Sequence, residues 1–254
     1  MKTKNFLQLT GELSGDGKRQ KGVLDNYFTT QDISMILKQT AERCLANAND
    51  SNRNTTAGVL FMLAGEYKNV VQLMSRLLAP DMNSNIHDAE KQHWYNQARQ
   101  FDLMYLSKST PVAESLLLNN GQDIVDTFRA LMQLFEFLDF MNKGRSAEAW
   151  SILSGLQILP TSQSEIASKD VIFQGLDPLL QNAMPAVLMA AMQSLYQEHG
   201  HLKRDLHSDR SAISGALLER KDRARVLLSF AGLISSVPMQ SAIEAMSRLE
   251  ANMN

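Results

Sequence analysis

The sequence predicts an all-α protein of successive antiparallel helices. Apolar residues recur at helical three-to-four spacing, and few segments alternate with the period of a strand. Short turns marked by Gly, Pro and Asn separate those stretches, which makes neighbouring helices antiparallel. Hydrophobic residues make up 44% of 254 positions, with only 13 Gly and 6 Pro, which excludes a disordered or collagen-like chain. A compact bundle and a stacked solenoid both fit this pattern. No fixed repeat length is visible, which disfavours a regular tetratricopeptide array and leaves an irregular solenoid open.

Residues 1–28 read as a polar, flexible lead-in, and 29–254 as a single helical domain with a polar linker at about 199–211. Thr29 or Thr30 caps a first helix through Asn47, with Ile33, Ile36, Leu37, Ala41 and Leu45 on its apolar face. Turn formers from Ala48 to Asn54 make a loop. Thr56–Ala64 and Glu66–Ala79 form a helical hairpin broken at Gly65 and stopped by Pro80. Asn83 or Ser84 opens a long helix over Ile86–Leu106, and a short helix follows Pro111 and ends at Asn119-Asn-Gly121.

Asp123–Met141 is the clearest helix. Ile124, Phe128, Leu131, Phe135 and Leu138 form one stripe, and Val125, Met132, Phe137, Phe140 and Met141 widen it, so this helix has neighbours on several sides. Lys143-Gly-Arg145 turns the chain into Ser146–Leu159, ended by Pro160. Further helices are predicted at Ser164–Gln174, Pro178–Glu198, Ser211–Ser235 and Met239–Ala251, with a kink or restart at Pro185 because it lacks the N–H for Gln181.

Composition narrows the setting. Lone Cys44 forms no internal disulfide and fits a reducing compartment. The formal charge of −2 argues against a phosphate backbone as main partner. Phe6–Leu9 is too short for a signal peptide. Pro178–Gln197 carries no charge, but Gln181, Asn182, Gln193, Ser194 and Gln197 make it a buried helix in a soluble protein, not a membrane span.

Candidates for chemistry are weak. Gly11–Arg19 imitates a phosphate-binding loop, yet Glu12 stands where glycine is needed and Arg19 where Ser or Thr would hold magnesium; a turn is the better reading. Glu198, His199, His201, Asp205, His207 and Asp209 cluster without the ligand spacing of a zinc site and read as an exposed linker. His87 and His93 point to solvent. Gly-x-Ser-x-Gly, His-Glu-x-x-His and Cys-x-x-Cys are all missing from the sequence. Asp123, Asp126, Glu136 and Asp139 lie on a helix already used for packing. The expectation is no enzyme: no catalytic, cofactor-binding or metal-binding residue is assigned, and no small-molecule substrate. His201 to Arg225 is the basic stretch, but interleaved acids and missing aromatics favour a solvated face over nucleic acid. The 14 Met residues, with Met62, Met74, Met132, Met189 and Met192 in apolar stripes, fill core gaps and can also line a groove for a partner helix.

Several segments resemble one family in order and spacing. Leu60–Leu78 is similar to a segment of the nucleoporin-interacting-component family, and Gly22-Val-Leu-Asp25 to the family's sequence just upstream. Gly144–Pro160 resembles a family motif with Ala149, Ile152, Leu156 and Pro160 in register, and Leu227–Ile234 resembles its Phe-Ala-Gly helix. The resemblance spans roughly residues 22–254. It implies an irregular antiparallel solenoid of the ancestral coatomer type and a non-catalytic place in the inner ring of the nuclear pore complex, at the nuclear envelope, with other scaffold and linker nucleoporins as partners. It also implies that the chain corresponds to the C-terminal portion of longer family members, without the N-terminal helix that engages channel nucleoporins. The alternative is a helical adaptor of coat or tetratricopeptide type. Partner-binding residues stay unassigned. The surplus apolar circumference of Asp123–Met141 points to a groove between it and the last two helices.

Overall fold

A computed structural model describes residues 7–47, 52–80, 89–118, 121–204, 210–234 and 237–253. Among them the chain is helical and carries no strand, only an isolated antiparallel bridge between Leu13 and Arg19. It divides into two compact units: Met1–Leu77 with His93–Arg129, and Leu78–Gln92 with Ala130–Asn254. No described helix is long and apolar enough to cross a membrane.

In the first unit, α1 (Thr30–Ala46) opens with a capping box. The Asp32 N–H donates to Thr29 Oγ1, and the Thr29 N–H donates back to the Asp32 carboxylate. Its face of Ile33, Leu37 and Ala41 packs on α2 (Arg53–Ala64). Gly65 ends α2 in the left-handed region at φ 73°, where the Gly65 and Glu66 N–H groups take up the Met62 and Phe61 carbonyls. Ser34 Oγ donates to another open carbonyl, that of Ala64, at 2.5 Å. The α2–α3 hairpin is thus as the sequence indicates, with α3 at Tyr67–Leu78. Arg53 and Asn54, placed in a loop by composition, start α2; residues 48–51 lie outside the described ones.

The predicted long helix is described from Ala89 onward. The described part is α4 (Ala89–Phe101), which widens into a π turn over Asp102–Leu106, while the expected start at residues 83–86 is not described. Next are α5 (Pro111–Leu118) and α6 (Gln122–Asn142), whose residues up to Arg129 belong to this unit.

From residue 7 on, the segment expected as a flexible lead-in is tied down. Arg19 Nε donates to the Thr10 carbonyl at 2.5 Å, and its guanidinium pairs with Asp25 at 2.6 Å. Burial opposes ionisation of Asp25, but bonds from Arg19 and the Gly22 N–H outweigh it and hold the carboxyl below its ordinary range. Gly17, at φ 84°, leaves no room for a Cβ, which would stand 2.6 Å from Val112 and close to Tyr105. Tyr67 donates its hydroxyl to the Gly17 carbonyl at 3.2 Å.

In the second unit α7 (Ser146–Leu156) follows the Gly144 turn and stops short of the predicted Leu159, because Gln157 adopts φ 52° without being glycine. A short 3-10 turn (Gln163–Glu165) leads into α8 (Ile166–Gln174). Then α9 (Pro178–Arg204) packs against α10 (Arg210–Leu233) and α11 (Val237–Ala251). α9 continues through Pro185 without the restart that was one of the two expectations there. Pro185 is buried with Met184, Val187 and Leu188, and such packing offsets the roughly 3 kcal/mol an interior proline costs. α9 also extends through 199–204, part of the stretch read as a linker. Edge-to-face contact of Phe173 with Phe230, centroids 6.4 Å apart, joins α8 to α10.

Candidate partner-binding surface

Much of the apolar surplus of α6 is buried. Phe128, Leu131, Leu134 and Phe137 are 0% exposed and Phe135 1%, while Met132, Phe140 and Met141 stay partly exposed, so most of this circumference packs in the core. An apolar groove of about 360 Å³ opens instead in the first unit, between the α2–α3 hairpin and α4 with its π turn. Its floor is Met62, Val70 and Trp94, which are buried; Val59 and Met104 rise exposed on its walls, and Met74 completes a methionine lining. Asn54, Thr55, His93, Gln97 and Gln100 supply the polar contacts, and among the described residues no Lys, Arg, Asp or Glu lines it. Unbranched thioethers adapt to varied partners, so this surface suits an uncharged apolar helix or strand segment. Composition pointed to Met62 and Met74, but not to Met104, which the π turn delivers.

Sequence-level candidates for chemistry are dispersed. In the phosphate-loop imitation, the Ser14 N–H bonds the Lys18 carbonyl and the Gly17 N–H bonds the Ser14 carbonyl, so these amides close their own turn and cradle nothing. Asp126 accepts from Gln122 at 2.7 Å and Asp139 pairs with Lys143 at 2.5 Å along α6. His93 is exposed beside the Trp94 ring, with centroids 5.6 Å apart, and His87 lies outside the described residues.

His199 departs from expectation. It is 6% exposed, on the inner face of α9, while His201 faces solvent. Burial, then the charges of Lys203 and Lys221, push its imidazole below its ordinary value. Glu198 beside it is occupied by Arg220 Nε at 2.9 Å and by Ser194 at 3.2 Å. Asp205, His207 and Asp209 lie outside the described residues; among the described ones no group of three His, Cys, Asp or Glu could hold a metal ion.

The basic stretch is not a plain solvated face either. Arg220 pairs with Glu198 and Glu219, and Arg225 with Asp222 and Glu250. Arg223 instead lies over the Trp150 ring, 4.0 Å from its centre.

A family model described as Nup93/Nic96 matches residues 1–243. Nuclear pore complex protein Nup93 of Danio rerio is 26% identical over 257 residues, covering 98% of this chain and 29% of that protein. Its Xenopus tropicalis counterpart is 24% identical, covering 92% and 27%. This chain therefore spans less than a third of the length of these relatives. The crystal structure of Chaetomium thermophilum Nic96 SOL superposes with a TM-score of 0.78 at 19% identity, over 96% of this chain and 38% of that one. The fold is that of an irregular antiparallel helical solenoid.

Proposed function

This chain belongs to the Nup93/Nic96 family, and on that premise we propose that it is a structural scaffold segment of the nuclear pore complex. It holds other scaffold and linker nucleoporins by burying their apolar segments, and so supports nucleocytoplasmic transport. It works at the nuclear envelope, peripheral to the membrane, without cofactor, small-molecule substrate, direct nucleic-acid contact or catalysis. The observation that carries this reading is the family match along residues 1–243.

Its mechanism is desolvation. A partner segment entering the methionine-lined groove covers Val59 and Met104, which water now touches, and gains about 25 cal/mol for each Å² of apolar surface removed. The uncharged lining disfavours a charged segment, whose ions would lose hydration without a counter-ion. Val59→Glu and Met104→Glu test this reading against purified scaffold and linker nucleoporins from the same organism. Both side chains are partly exposed, so the variants keep the thermal midpoint of the parent chain while losing at least tenfold in affinity for the groove's partner. Unchanged affinity for every nucleoporin in both variants would remove the groove from the mechanism.

A further inference from the structure

A second concavity, of about 490 Å³, lies within the other unit, where α7, the turn before α8, α8 itself and α10 converge. Its chemistry differs from the groove above. The Arg223 guanidinium enters from α10 and stacks on Trp150 of α7. Lys169 of α8 enters from another side, its ammonium on the Gln157 carbonyl at 2.5 Å, and Leu153 and Leu227 supply apolar wall.

Arg223 makes no ion pair among the described residues. The two carboxylates whose charge reaches it, Glu198 and Glu219, are both held by Arg220, at 2.9 and 3.2 Å. Burial, and then Arg220, weaken its hold on its proton, the signature of a cation short of counter-charge. A ring face compensates a desolvated guanidinium only partly, whereas a carboxylate pairs with it through two parallel hydrogen bonds. One carboxylate already lines the pocket. Glu165 accepts from the Thr161 N–H at 2.8 Å and from its hydroxyl at 3.0 Å, bonds that favour its ionised form. Two cations against Glu165 leave one positive charge, which matches a monoanion better than a phosphate dianion.

We propose that the Trp150–Arg223 pocket binds the carboxylate side chain of an acidic residue flanked by apolar residues in a partner protein. The carboxylate lies against the Arg223 fork with Lys169 as second cation, and the flanking apolar side chain rests on Leu153 and Leu227. This site is separate from the methionine-lined groove, and it holds whichever assembly the chain serves.

The test uses the full chain carrying Trp94→Phe, which leaves Trp150 as the one tryptophan of the two in the sequence. Acetyl-Leu-Glu-Leu-amide is titrated against Trp150 fluorescence beside its Gln and phosphoserine counterparts. The expected result is a saturable change with the Glu peptide, at least tenfold tighter than with the Gln peptide. Arg223→Gln removes that preference, and Arg225→Gln, which alters an arginine paired with Glu250, keeps it. Salt supplies a readout without any variant at Arg223: the Glu peptide weakens as ionic strength rises and the Gln peptide does not. Equal affinity for Glu and Gln peptides, no response to any peptide, a preference that survives Arg223→Gln, or tighter binding of phosphoserine each overturns the proposal.

Discussion

Arg129 Nε donates to Asp102 Oδ1 at 2.9 Å, and the same guanidinium donates to the Leu106 carbonyl at 3.2 Å. One side chain of α6 therefore holds both ends of the π turn that carries Met104 into the groove. Asp102 also accepts from Ser107 Oγ at 2.9 Å, so the turn is closed from two sides. Arg129→Gln removes this clamp. Because the Arg129 side chain is 39% exposed, solvent screening keeps the loss small, about 1 kcal/mol in urea unfolding. Affinity for the groove's partner falls with it, and an unchanged affinity would separate the turn from the groove.

Phe128 stands edge-on to Phe101 with centroids 6.5 Å apart at 88°, and is 0% exposed. Phe128→Ala opens a cavity the neighbours fill only in part and costs about 3–5 kcal/mol in equilibrium unfolding. Leu118→Ala, at a side chain 84% exposed, changes stability by less than about 0.5 kcal/mol and serves as the control.

Asp25→Asn leaves the Arg19 guanidinium without its charge partner. The side chains are 11% and 7% exposed, so the loss is about 2 kcal/mol, read as a lower urea midpoint. Proteolysis within residues 11–22 should accelerate in the same variant.

His199 gives a pH dependence with a fixed sign. Its folded imidazole titrates below the ordinary value of 6.5 because burial, Lys203 and Lys221 oppose the proton. As pH falls through 6.5 the unfolded chain gains a proton that the folded chain refuses, so stability drops until the folded value is reached. Urea midpoints taken between about pH 8 and about pH 5.5 should show this decline in the parent chain and a shallower one in His199→Gln.

Legibility in the sequence followed the range of the forces involved. Thr29, Gly65 and Gly144 announce their caps and turns because the governing bonds are local, and the α2–α3 hairpin follows from them. The π turn has no local signal: it is set by Arg129 reaching across from α6. Pro185 obeys packing over its own propensity. His199 was hidden by polar neighbours, although Met192 and Leu195 mark its helical stripe at the spacing that buries it. The groove drew on Met62 and Met74, legible as a composition excess, and on Val59 and Met104, whose exposure is decided only by how the helices meet. The Trp150–Arg223 contact joins α7 to α10, and no spacing rule reaches that far.

The central claim is membership of the pore scaffold, and position in the cell tests it most directly. A fluorescent tag at the protein's own locus should give a punctate nuclear rim that coincides with a second nucleoporin. A diffuse or vesicular pattern would contradict the account.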